Sequence, residues 1–318
     1  MDKPSSSNAF MLGFLIYSGC LPFFVLFLHI LGVVDTQDAD FQKYITLFQH
    51  LLIFAVPVAF YCIVTKNRLR DIVPHQPLSF KNTVLIVFIA LFTIPLMMWV
   101  GVITDFFVED TISDSINDMM QNYSMGYLTV AIAVMPGVFE ELVFRGMIMS
   151  GYKRTGLIRS SVAAAFLFGV MHLSLTQLFY AMAAGVIFGI LVHYSNSIYS
   201  SMLAHFVING VQAVWSKLAF VYGSDEIAET AEETPFIEIF GAVTLMVAFT
   251  LPVLILLLYA YIHINKGKNI DYKYSLTDKE EFVCELEAGR GKIIDIFFIL
   301  TVVFYVLYIA MMSFLEKV

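Results

Sequence analysis

Long apolar stretches repeated along the whole chain are the feature that most restricts its fold. A helix needs ~20 apolar residues to cross the hydrocarbon core of a bilayer. Nine candidate stretches lie at residues 8–34, 44–65, 82–104, 126–150, 160–175, 177–195, 198–221, 236–264 and 293–315. Only 14% of the residues are charged, against about 25% in ordinary soluble domains. We therefore expect a single all-α domain over 1–318, a polytopic integral membrane helix bundle of about eight to nine transmembrane helices with the lipid bilayer as its partner.

The charges of the loops predict how the chain is oriented. Basic residues fall in the connections at 66–81, 152–159 and 266–292, whereas the alternate connections at 35–40, 105–118 and 223–234 are acidic and contain no Lys or Arg. Cytoplasmic loops of membrane proteins carry an excess of Lys and Arg. With nine spans, this alternation predicts a cytoplasmic amino terminus and an outside carboxyl terminus. The segment 266–292 is then a charged cytoplasmic connector.

The fourth apolar stretch contains charged side chains, in the sequence GVFEELVFRGM at residues 137–147. Charges at membrane depth cost ~2.5–3.5 kcal/mol each on insertion scales, so each one needs a reason. Glu141 and Arg145 are spaced i, i+4, share a helix face and can pair, which suggests a structural role. Glu140 lies about 100° round the helix and has no local partner. Glu140 is therefore the candidate general base.

Polar groups on neighbouring stretches suggest the chemistry. Five histidines fall near span ends or in loops, where we expect interfacial or solvated side chains: His29, His50, His75, His193 and His263. His172 and His205 lie inside apolar stretches, and Asn209 follows His205 at i+4. The chain has no G-x-S-x-G and no H-E-x-x-H motif. The set favours hydrolysis of a peptide bond by water that Glu140 and His172 activate, while His205 and Asn209 stabilise an oxyanion.

Three motifs resemble those of a known family. EELVFR at 140–145 matches EExxxR, FGVMH at 168–172 matches FxxxH, and HFVIN at 205–209 matches HxxxN. Together they resemble the CPBP intramembrane proteases, which include the type II CAAX prenyl endopeptidases and bacterial Abi proteins. The resemblance covers about residues 126–221.

The resemblance implies a glutamate-dependent endopeptidase whose catalytic core helices lie at 126–221. It implies that Glu140 is the base with His172 as its partner, and that His205 and Asn209 line the oxyanion site. Glu141 and Arg145 would support the motif helix, together with Phe168 of the second motif. The expected substrate is a membrane-associated peptide or protein, with lipidated, CAAX-like substrates as one class. No cofactor and no nucleic-acid partner are expected.

Two alternatives stay open from the residues. Zinc accepts two His and one carboxylate in catalytic sites, so Glu140, His172 and His205 could hold a metal in a zinc-dependent membrane protease. A non-enzymatic transporter or immunity-type peptide-binding protein could use the same polar cavity, because intramembrane carboxylates also mark ion paths.

Overall fold

A computed structural model describes residues 4–66, 68–108, 113–152, 155–223, 234–266 and 292–315. Within these ranges the chain is helical, and the one extended contact is an isolated bridge between His75 and Ser197. The all-α fold predicted from the sequence is therefore confirmed. The predicted connector at 266–292 lies outside the described residues except for its two end residues.

The helices differ in length and regularity. Six long helices are continuous: α1 Pro4–Ile30, α5 Phe80–Phe107, α11 Leu175–Ser195, α12 Ile198–Tyr222, α13 Phe236–Asn265 and α14 Ile296–Leu315. Two long helices are composite. The first consists of α2 Ala39–His50, π1 Leu51–Ala55 and α3 Val56–Thr65. The second consists of α7 Met125–Leu128, π2 Thr129–Val134, α8 Met135–Glu141, π3 Leu142–Ile148 and α9 Met149–Gly151. Three helices are shorter: α4 Leu69–Ile72, α6 Ser113–Asn122 and α10 Leu157–Met171.

Seven of the described helices are long and apolar enough to cross a membrane, which supports a multi-pass membrane protein but does not confirm the count of eight to nine. The fifth predicted span corresponds to α10, whose 15 residues rise only about 22 Å against a hydrocarbon core of about 30 Å. The seventh predicted span corresponds to α12, a helix of 25 residues. Its polar side chains, among them His205 and Asn209, lower its mean hydropathy. The orientation of the termini stays a prediction.

Helices α10 and α11 form a tight hairpin that sets the position of His172. The chain reverses over three residues, and Leu173 adopts a left-handed conformation with φ of 51°. The two helices approach closely at glycines: a Cβ atom at Gly185 would lie 2.9 Å from the Cβ of Ala165, and one at Gly169 would lie 2.4 Å from the carbonyl oxygen of Leu178. Small residues allow such close packing of membrane helices. The hairpin thereby holds His172 at its turn.

Buried amide side chains join helices that are far apart in the sequence. Asn82 of α5 and Asn265 of α13 exchange two hydrogen bonds of 2.8 and 3.0 Å, and both side chains are buried. Asn8 of α1 donates to Asp295 at 2.9 Å and accepts a hydrogen bond from the hydroxyl of Tyr152, which follows α9. The first and last long helices are thus tied to the end of the second composite helix.

The three π-helical segments are unusual features of this fold. Each closes with a backbone hydrogen bond from residue i to residue i−5: Val56 to Leu51, Met135 to Val130 and Met149 to Phe144. Such bulges are rare and are frequent at functional sites. Two of them flank the glutamates of the 137–147 stretch, and the third begins directly after His50. The α-helix expected over 126–150 is therefore interrupted twice.

Candidate active site

The ion pair predicted from the i, i+4 spacing is present. Arg145 Nη1 donates to Glu141 Oε1 at 2.9 Å, and the two residues are only 2% and 0% exposed. Arg145 Nη2 donates to the carbonyl oxygen of Gly185 at 3.3 Å. The guanidinium carbon lies 4.3 Å from the ring centre of Phe168 and 5.0 Å from that of Phe188. The charged pair therefore connects the composite motif helix to both α10 and α11.

His205 lies between the two glutamates. Its Nδ1 is 2.9 Å from Glu141 Oε1, and its Nε2 is 3.9 Å from Glu140 Oε2. If Nδ1 carries the hydrogen that the Glu141 carboxylate accepts, Nε2 is the nitrogen that faces Glu140. The ring stacks on Phe188 at 5.3 Å. Helix spacing predicted different surroundings for the two glutamates, but one imidazole reaches both of them.

Glu140 lies on the wall of a large cavity. The cavity has a volume of about 800 Å³ and is lined by parts of α1, α2, π1, α14, the end of α5 and the α10–α11 turn. Glu140 is 7% exposed, and its Oε2 atom is buried without a hydrogen-bond partner among the described residues. No Lys, Arg or Asp occurs among the described residues that line the cavity, and Glu140 is their one carboxylate. The small exposed part of Glu140 therefore faces a cavity without other charged side chains, while its Oε2 lies beneath the cavity surface.

His172 lies at the carboxyl end of α10 and lines the same cavity as Glu140. Its Nδ1 is 2.9 Å from the carbonyl oxygen of Phe168. A carbonyl only accepts, so Nδ1 carries the hydrogen and Nε2 is left for other partners. The ring of Phe168 meets His172 edge-on, with 5.1 Å between ring centres, and meets His205 in the same manner at 5.9 Å. Phe168 thus orders both imidazoles in addition to covering Arg145.

Asn209 donates a hydrogen bond to a residue that does not line the cavity. Its Nδ2 donates to the carbonyl oxygen of Ile132, in π2, at 2.9 Å. Neither Asn209 nor His205 is among the residues that line the cavity. The structure therefore brings Glu140 and His172 to one cavity, whereas the two residues predicted to stabilise the oxyanion contact the motif helix.

His50 is a cavity residue that the sequence reasoning missed. We expected an interfacial or solvated side chain, but His50 lines the cavity, and its Nδ1 is buried without a well-aligned hydrogen bond to any described residue. The expectation was wrong because His50 was treated as a span-end residue, whereas α2 continues through π1 into α3. Its position well inside the apolar stretch 44–65 was the available signal.

A metal site is not assembled in the described part of the chain, since no group of three or more His, Cys, Asp or Glu side chains there is placed so that it could hold an ion. The three residues of the zinc alternative, Glu140, His172 and His205, do not form such a group. We therefore assign no step to a metal.

Comparison with known proteins gives one match. Residues 123–211 match the model of a protease family described as Rce1-like, type II CAAX prenyl endopeptidase Rce1-like. The matched segment contains all three motifs, at 140–145, 168–172 and 205–209, so the resemblance is confirmed over this part of the chain. No curated protein and no solved structure matches.

Proposed function

We propose that Glu140 activates the hydrolytic water in the CAAX-type membrane protease that the match over residues 123–211 indicates. The observation that carries this proposal is the position of the Glu140 carboxylate. It is buried, its Oε2 has no hydrogen-bond partner among the described residues, and His205 Nε2 lies 3.9 Å from that atom. Glu140 and His172 both line one cavity. A buried carboxylate without a partner is costly and is suited to taking a proton.

The proposed reaction consumes one water. Glu140 takes a proton as the water oxygen bonds to the substrate carbonyl carbon, and His172 orients that water through Nε2. The carbon–nitrogen bond then breaks, and the proton passes from Glu140 to the leaving amine. The products are a carboxylate and an amine.

The second glutamate has a different role in this proposal. Glu141 is neutralised by Arg145 and also bonds to His205, so it holds neighbouring groups in place. His205 then presents Nε2 toward Glu140 at 3.9 Å, a separation that a single bridging water can span. An oxyanion role for His205 and Asn209 stays a prediction.

The decisive experiment replaces Glu140 with Gln, which keeps the shape of the side chain and removes the base. We expect kcat on a membrane-associated peptide to fall by at least about a hundredfold, as for loss of a general base. The matched control is Glu238→Gln, because Glu238 is an exposed carboxylate in the first turn of α13. A Glu140→Gln protein that cleaves at the normal rate would show the mechanism to be wrong.

The substrate class is the finer part of the proposal. We propose membrane-associated peptides that are cleaved near the carboxyl terminus, with lipidated CAAX-like peptides as the first candidates. Purified protein in liposomes should be given matched prenylated and unprenylated peptides, and faster cleavage of the prenylated member is expected. Equal rates would exclude the lipid as a recognition element.

Chelation separates the zinc alternative from this mechanism. We expect full activity in chelator-washed protein. Loss of activity with loss of stoichiometric zinc would favour the metal.

A further inference from the structure

We propose that His50 is a further catalytic residue, whose imidazole donates a hydrogen bond to the substrate carbonyl oxygen as negative charge develops on it. This inference rests on the hydrolytic function proposed above. His50 lies outside the segment that matches the protease family and belongs to none of its three motifs.

The position of His50 places it with the reacting groups. It is the last residue of α2 and lines the cavity that Glu140 and His172 also line. The Glu140 carboxylate is close enough to interact electrostatically with both imidazoles. A peptide bond held in this cavity for attack by a Glu140-activated water is therefore within the surroundings of His50.

The hydrogen bonding of His50 is incomplete. Its Nδ1 is buried but makes no well-aligned hydrogen bond to a described residue, and the carbonyl of Thr46, one helical turn earlier, is its candidate acceptor. A buried polar atom left without a partner costs about 1–3 kcal/mol. Since Nδ1 is enclosed by protein and its contact with Thr46 is poorly aligned, the ring can carry its hydrogen on Nε2 instead and donate it to a substrate oxygen in the cavity.

Local structure fixes the direction of the ring. The imidazole stacks on Phe54, with 5.9 Å between ring centres and 18° between the planes. Phe54 lies inside π1, which begins directly after His50 and ends with the hydrogen bond from Val56 to the carbonyl of Leu51. A π-helical bulge beside a cavity-lining histidine is typical of functional sites.

The cavity offers hydroxyl and amide donors as well as two imidazoles. The described lining contains no Lys or Arg, and its imidazoles are those of His50 and His172. Its uncharged donors besides histidine are Ser18, Gln49, Ser174, Thr176, Gln177, Tyr308 and Ser313. His172 has its Nδ1 tied to the carbonyl of Phe168 and is assigned to the water. The residues predicted from the motifs, His205 and Asn209, bond to Glu141 and Ile132. His50 is thus the imidazole of the cavity that has no other assigned role.

The test compares His50→Leu and His50→Gln in the full chain, reconstituted in liposomes. Loss of one oxyanion donor lowers kcat by about 10²–10³-fold, and we expect this loss in His50→Leu with KM changed less than about threefold. His50→Gln retains an N–H donor, so its kcat should exceed that of the Leu variant by at least about tenfold. The matched control, His263→Leu, changes an exposed histidine of α13 and should leave kcat unchanged.

Each peptide is assayed with a free and with an amidated carboxyl terminus. We expect the same fold loss on both, because an oxyanion donor acts at the scissile bond. A loss confined to the free carboxylate would mean that His50 recognises the substrate terminus, and would overturn the proposal. Wild-type kcat in His50→Leu, or a raised KM with unchanged kcat, would overturn it as well.

Folding is checked by thermal unfolding of each variant. If His50→Leu does not fold, His50→Ala takes its place in the same comparison. Glu140→Gln is measured in the same assay. Full activity of Glu140→Gln would refute the proposed function. If Glu140→Gln is inactive and His50→Leu is fully active, only the role of His50 is refuted.

Discussion

Replacing Arg145 with Met should destabilise the protein more than any single loss of a surface charge. Arg145 Nη1 and Glu141 Oε1 are 2.9 Å apart, and both residues are essentially buried. At an effective dielectric constant of about 20, two unit charges at this distance attract by about 6 kcal/mol. Desolvation offsets much of this gain, but removing one partner alone leaves the other charge buried and costs about 3–5 kcal/mol. That cost is a large part of the about 5–15 kcal/mol that stabilises a typical protein.

A double-mutant cycle isolates the contribution of the pair. Glu141→Gln keeps an acceptor for His205 while it removes the charge, so Glu141→Gln/Arg145→Met buries no unpaired ion. We expect the double variant to be more stable than Arg145→Met alone by about 2 kcal/mol or more. The measurement is the free energy of unfolding of the purified protein in mixed micelles titrated with denaturing detergent.

Two results would refute this reasoning. The free energy of unfolding of Arg145→Met could lie within about 1 kcal/mol of the wild-type value, which would mean that the buried charge of Glu141 is relieved in another way. Alternatively, the effects of the two substitutions could simply add, as they do for independent sites. In either case the pair would not be the unit that holds the motif helix to α10 and α11.

Two further predictions concern helix packing, and thermal unfolding measures both. Gly185→Ala should destabilise the folded protein by about 1–3 kcal/mol, because the new Cβ would lie 2.9 Å from that of Ala165. The control is Gly101→Ala, which has nothing within 4 Å of the new Cβ and should be near neutral. Asn265→Leu should lower the free energy of unfolding by about 1–3 kcal/mol, because it leaves the Asn82 amide unpaired. The double variant Asn82→Leu/Asn265→Leu should recover part of that loss. Equal stability of the single and double variants would contradict this account.

The sequence predicted the helical class and the ion pair well, for clear physical reasons. Apolar stretches long enough to span a bilayer leave little choice but helices. The pairing of Glu141 with Arg145 needs only local geometry, which survives even though π3 begins between the two residues. Glu140 and His172 both line one cavity, and the catalytic roles that the motifs imply for them stay predictions.

Features that depend on tertiary packing could not be read from spacing. The bond from His205 to Glu141 joins residues 64 positions apart, and the stacking of His205 on Phe188 depends on how α11 and α12 approach. The π-helical segments have no simple sequence signal, although π1 directly follows His50 and the other two segments flank Glu140. Span number was difficult because α12 combines membrane-helix length with the polar residues of the site.

The walls of the cavity have two different origins. Glu140 and the α10–α11 turn come from the segment that matches the protease family, whereas α1, α2, π1, the end of α5 and α14 contribute lining residues from outside that match. In the proposed protease, the three motifs and most of the remaining cavity wall therefore lie in separate parts of the chain, with His50 as the proposed catalytic group outside the match. In the proposed protease, exchange of α1 or α14 is therefore expected to change substrate preference, while His50, the three motifs and the bonds among the motif side chains are left untouched.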